Sequence, residues 1–143
     1  MDTATFNFIE EVFAPDGVGD HVVDYEVQTI LSGGWQRYVA FMREASGDAH
    51  TPVVRRITTS FESECRGGVR LLLGVRAANR SRRSYTLEEA LWIAETHMII
   101  ATSTAVVVSL DRAIGRAVEV PPRLWSAVES FEGRTIGFEA LPR

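Results

Sequence analysis

A chain of 143 residues, 45% hydrophobic and 24% charged, has the size and make-up of one globular domain with a real core. Its formal charge of −4 gives no electrostatic basis for holding nucleic acid or an anionic membrane. All fifteen basic residues are arginine, which excludes Schiff-base chemistry on lysine and leaves guanidinium forks for phosphate or carboxylate. Cys65 stands alone, so an internal disulfide is ruled out and a reducing compartment fits. The first residues lack a signal-peptide pattern. The most apolar run, 98–110, is too short to span a bilayer. The expected location is the cytoplasm.

Phe6, Ile9, Val12 and Phe13 form an apolar opening compatible with a strand or a short helix. The stretch Ala14-Pro15-Asp16-Gly17-Val18-Gly19-Asp20 is a loop by composition. Val23, Tyr25 and Val27 then alternate as in a strand, yet a helix beginning near Asp24 fits the same residues. Over 31–45 the period is helical. Leu31, Trp35, Tyr38, Met42 and Ala45 share one face, Ser32 offers an N-cap, and Gly47 offers a stop. Gly33 and Gly34 cost such a helix about 1 kcal/mol each relative to alanine, which points to a tight contact or a ligand near that turn.

Beyond residue 52 the period changes to two. Val53, Ile57, Thr59 and Phe61 face one way, Arg66-Gly67-Gly68 forms a hairpin turn, and Val69, Leu71, Leu73, Val75 and Ala77 alternate in a second strand. Residues 79–84 are a polar connection. Residues 85–95 are ambiguous: Leu87, Leu91, Ala94 and Met98 make a helical stripe behind a Thr86–Glu89 capping box. Tyr85, Leu87, Leu91 and Ile93 equally share one face of a strand, broken by Glu89. Residues 99–110 are a strand by their valine, threonine and isoleucine content, with a turn over 111–116. Pro121-Pro122 opens a last short helix with Leu124, Val128 and Phe131 inside and Gly133 at its end; residues 134–143 are expected to be a loosely held tail.

One helix followed by a long antiparallel meander resembles the hot-dog fold, an α+β arrangement in which a curved sheet wraps a central helix. Three runs resemble the 4-hydroxybenzoyl-CoA thioesterase-like branch of acyl-CoA thioesterases. They are Arg82-Arg83-Ser84-Tyr85-Thr86-Leu87-Glu88, Ile100-Ala101-Thr102-Ser103-Thr104-Ala105-Val106-Val107-Val108-Ser109-Leu110-Asp111, and Gly115-Arg116-Ala117-Val118-Glu119-Val120-Pro121. The resemblance decides for a strand over 85–95. It implies hydrolysis of acyl-CoA or acyl-carrier thioesters by a homodimer or homotetramer, with no cofactor. Related enzymes carry an aspartate loop before the central helix, and Asp16 with Gly19 keeps that spacing while His21 lies close by; Asp24 is the other candidate carboxylate. Another branch has paired glycines at the helix start, a pattern that Gly33 and Gly34 resemble. Within the same fold, a non-catalytic subunit that binds acyl thioesters and a dehydratase are the alternatives.

Thioester hydrolysis needs an activated water or an attacking carboxylate, and donors for the oxyanion. Asp16 or Asp24 fits the first role, with His21 orienting water, and the backbone at Gly33 and Gly34 is the expected oxyanion donor. Arg80, Arg82 and Arg83 are the expected ligands of the coenzyme A phosphates. His50 and His97 have no partners at metal-ligand spacing, so no metal is expected.

Overall fold

The computed structural model describes residues 2–16, 21–47 and 50–138. Strand β1 (Phe8–Phe13) alternates half-buried Phe8, Glu10 and Val12 with exposed Ile9, Glu11 and Phe13, which resolves the apolar opening as a strand. Helix α1 runs over Asp24–Ser46, so it begins more than two turns before Ser32. The reason is local. Glu26 reaches back to accept the Val23 amide at 3.1 Å, closing the first turn without a hydroxyl cap, and Val27 extends the buried stripe of Leu31, Tyr38 and Met42. Gly47, at φ 70°, ends the helix as expected.

Four long strands follow: β2 (Thr51–Phe61), β3 (Arg70–Arg80), β4 (Ser84–Ile93) and β5 (Ile99–Asp111). A short β6 (Arg116–Ala117) pairs with β5, and α2 (Pro122–Glu132) closes the described structure. The order across the sheet is β1-β3-β4-β5-β2, with antiparallel pairing throughout. Segment 84–93 is a strand despite its helical stripe. Pairing with β3 on one side and β5 on the other satisfies its backbone, and both its faces are covered: Leu87 and Leu91 on the inside, Ala90 and Trp92 outside beneath Phe6.

The main core lies between α1, α2 and the inner face of the sheet. This is the curved sheet around one long helix expected from the resemblance. The tail is docked further than expected, because Ile136 is buried and the Arg80 amide donates to the Gly137 carbonyl at 3.0 Å. Residues 139–143 lie outside the described part. No helix among the described residues is long and apolar enough to cross a membrane.

Candidate active site

Strand β2 is an edge, and α1 does not cover it completely. Between the two lies a groove of about 680 Å³ lined by Asp24, Tyr25, Gln28, Ser32, Gly33 and Phe61, among others. A smaller pocket of about 260 Å³ shares Asp24 and Phe61 and adds Glu64 and Cys65. Cys65 is buried at 3% exposure in the main core, and that burial pushes its thiol up from the ordinary value.

The first turn of α1 opens onto this groove. Val23 provides no side-chain cap, and the amides of Asp24 and Tyr25 have no acceptor among the described residues. Asp24 is exposed and lines the groove. Asp16 is also exposed, and its backbone lies against Gly67 in the β2–β3 turn, where a Cβ would come within 2.5 Å of the Asp16 carbonyl oxygen. His21 bridges to Arg66 in the same turn and lies 3.6 Å from the Glu64 carboxylate. All three residues therefore occupy one end of the sheet. Gly19, which supplied the spacing argument for Asp16, lies outside the described residues.

Gly33 and Gly34 are at the middle of α1 and not at its start, so their amides belong to the helical ladder and offer no free oxyanion donor. Their roles differ. Gly33 lines the groove, with only the tip of Arg37 beside it. Gly34 faces the core, where a Cβ would sit 2.5 Å from Leu73 Cδ2 and 2.6 Å from Glu89 Oε2. The tight contact anticipated at this turn is made by Gly34.

Glu89 is a buried carboxyl group to which the sequence assigned no role, and it lies beneath the helix that forms the groove wall. It projects inward from the centre of β4, is 1% exposed, and has one carboxyl oxygen, Oε2, without a hydrogen-bond partner. Burial pushes its carboxyl up to about 8, against the opposing pull of the Arg37 guanidinium and the Trp35 backbone amide. Arg37 itself is bound to Glu10 of β1 at 2.6 Å. Glu89 starts a polar row across an otherwise apolar face. Ser103 of β5 is its cross-strand neighbour and Thr59 of β2 is the next, the two hydroxyls lying 3.3 Å apart. Thr59 donates to Gln28 Oε1 at 2.6 Å, and Gln28 Nε2 lies 3.4 Å from Ser32 Oγ in the groove wall. The signal was present in the sequence: a glutamate in the inward register between Leu87 and Leu91.

The three connection arginines are not equivalent. Arg80 is held between Trp125 and Phe138, with its guanidinium 5.2 and 4.5 Å from the two ring centroids, and lies 3.9 Å from Glu129. Among the described residues, its guanidinium is thus packed against two rings, as those of its neighbours are not. Arg82 reaches Glu119 at 3.4 Å on the surface, and Arg83 is exposed. The connection lies beside Val108 of β5, whereas Phe61 at the groove pairs with Ala101. At about 3.3 Å per residue, the two regions are roughly 20 Å apart within one chain. His50, at the arginine end, is buried with its Nε2 2.9 Å from the Tyr85 hydroxyl. Among the described residues, no group of three or more His, Cys, Asp or Glu could hold a metal ion.

No protein-family model matches the sequence, and no curated protein matches it either. Solved structures do match. A thioesterase from Thermus thermophilus, complexed with coenzyme A and Zn, superposes with a TM-score of 0.76 at 20% identity, over 92% of this chain and 98% of its own. A Staphylococcus aureus protein in complex with CoA gives 0.77 at 14% identity, over 95% and 89%. A 1,4-dihydroxy-2-naphthoyl-CoA thioesterase from Synechocystis gives 0.71 at 13% identity, over 85% and 94%. The chain has the hot-dog fold, and at these identities the likeness is one of fold.

Proposed function

We propose that this protein hydrolyses acyl thioesters of coenzyme A or of an acyl carrier in the groove beside the amino end of α1. The observation that carries the reading is the first turn of α1, whose Asp24 and Tyr25 amides have no acceptor among the described residues, opening onto a groove that Asp24 lines. Water, deprotonated by the Asp16 or Asp24 carboxylate, attacks the thioester carbonyl carbon while His21 orients it. The carbonyl oxygen gains charge and accepts from the Asp24 and Tyr25 amides, which replace Gly33 and Gly34 in that role. The C–S bond then breaks, and the departing thiolate takes the proton held on the carboxyl group. Gly33 leaves the groove wall open for the substrate to approach.

Arg82 and Arg83 remain the proposed contacts for the coenzyme A phosphates, and a second copy of the chain supplies them. β2 presents an unpaired edge with Val53, Ile57 and Phe61 exposed along it. Antiparallel pairing of β2 with its copy sets the Thr51 end of one subunit beside the Phe61 end of the other. That brings one subunit's arginine connection toward its partner's groove.

A subunit that binds acyl thioesters without hydrolysing them is the second reading, favoured by the exposure of both Asp16 and Asp24. A panel of acyl-CoA and acyl-carrier substrates, with free thiol detected, separates the two. For a hydrolase, either Asp16→Asn or Asp24→Asn lowers turnover by roughly 10²-fold or more with binding retained. Parent rates in both variants would remove the carboxylate mechanism. Binding without thiol release by the parent protein would put the binding subunit in its place.

A further inference from the structure

Glu89 is enclosed from every side. Leu73 and Val75 of β3 flank it, Ser103 of β5 is its other cross-strand neighbour, and the Gly34–Trp35 turn of α1 lies over it. Two charged groups act on it: Arg37 from α1 and Glu10 from β1, already paired with each other at 2.6 Å. Glu89 therefore has no counter-ion of its own and keeps one oxygen unbonded in an apolar gap. A carboxyl group is tolerated in such a place only without charge, because an unpaired buried carboxylate costs several kcal/mol or more. Gly34 is what allows the approach, since any side chain there would displace the carboxyl from under the helix.

We propose that Glu89 is a positioning residue which, as an uncharged acid, seats the first half of α1 on the sheet. Loss of its proton unseats the Gly34 turn and with it the groove wall formed by Gln28, Ser32 and Gly33. The coupling runs through α1 itself, since Gly34 belongs to the same helix as Gln28, Ser32 and Gly33, and Gln28 is tied to the sheet by the Thr59 hydroxyl at 2.6 Å. A charge under Gly34 draws water or a cation into the seam, and the helix must move to admit either. The rise of the Glu89 carboxyl to about 8 places this change just above neutral pH. The effect on turnover rests on the proposed hydrolase; the movement of α1 does not.

Trp35, next to Gly34, is a built-in reporter. In protein labelled with 5-fluorotryptophan, the fluorine resonance of Trp35, assigned with W35F, is followed from about pH 6 to 9.5. The same range is covered for thioester hydrolysis, corrected for the uncatalysed rate. The Trp35 line should titrate with a single midpoint at about pH 8, and kcat/KM should fall above it with a slope of up to about tenfold per pH unit. Glu89→Gln should abolish both changes. A Trp35 line that does not move, or one that moves equally in Glu89→Gln, overturns the inference. Should that variant not fold, the carboxyl ¹³C titration of the parent protein decides: one glutamate with a midpoint near 8 supports the inference, and none above about 6 overturns it. A Glu89-dependent Trp35 transition in a protein inert toward every thioester upholds the inference and removes only the hydrolase reading.

Discussion

Gly34 and Glu89 occupy a single gap between α1 and the sheet, so that a Cβ on the glycine would lie 2.6 Å from Oε2 of the glutamate. Gly33, one residue earlier, meets only the flexible end of Arg37. The paired glycines thus answer to different forces, and substitution separates them. Gly34→Ala should destabilise by about 1–3 kcal/mol through overpacking, whatever it gains in helix propensity. Gly33→Ala should be neutral or stabilise by up to about 1 kcal/mol. Urea unfolding of the two variants checks the contrast; equal effects would mean that the seam is loose.

Stability should also depend on pH through Glu89. Its folded carboxyl is raised from 4.5 to about 8, so between those values the folded state holds a proton that the unfolded chain has lost. The unfolded state binds fewer protons there, and stability falls as pH rises, with a slope of about 1.4 kcal/mol per unit at most. The contribution is fully present below about 4.5 and gone above about 8. Melting temperatures across this range should decline in the parent protein and decline less in Glu89→Gln. Parallel curves would show that Glu89 does not dominate.

The arginines should divide into one that folds and two that bind. Arg80→Ala removes a guanidinium packed against Trp125 and Phe138 and should cost about 1–2 kcal/mol of stability. Arg82→Ala with Arg83→Ala should leave the melting temperature within experimental error and weaken binding of CoA thioesters. Calorimetry and a binding titration on the same preparations distinguish the two effects. Unchanged affinity in the double variant would reject the phosphate assignment.

The exposed edge offers a further measurement. Ile57 and Phe61 are 38% and 53% exposed, and they share the face of β2 that carries Thr59 toward α1. Placing glutamate at both positions should convert a dimer into a monomer in light scattering at micromolar concentration, while the circular dichroism of the fold persists. A parent protein that is already monomeric would count against the β2 pairing.

Much of this architecture was legible from side-chain periodicity, and the failures have physical causes. Leu71, Leu73, Val75 and Ala77 alternate cleanly because β3 is buried on its inner face, and Pro122 and Gly133 bracket α2 as their backbone preferences require. The start of α1 was ambiguous because Val23, Tyr25 and Val27 fit both periods, and the turn is closed by Glu26 and not by a hydroxyl cap. For residues 84–93 local propensity favours helix; what overrides it is pairing on both edges, a non-local fact that only the fold resemblance supplied. The site was harder to read. Asp24 reaches the groove as an isolated surface carboxylate, and nothing near it in sequence announces Phe61 on the opposite wall. Arg80 looked like its neighbours until Trp125 and Phe138 came from forty or more residues away to enclose it. Glu89 interrupted a strand pattern in full view, but its meaning depends on Gly34, which lies on another element.

The distance between the arginine connection and the groove has a genetic consequence. If β2 pairs with its copy, each working site takes its carboxylate from one polypeptide and its arginines from the other. A chain disabled at Asp24 and a chain disabled at Arg82 and Arg83 would then not be equally dead when made in the same cell. In the mixed dimer both lesions fall on one site and the other site is left whole, so two inactive alleles would together restore part of the activity that neither has alone.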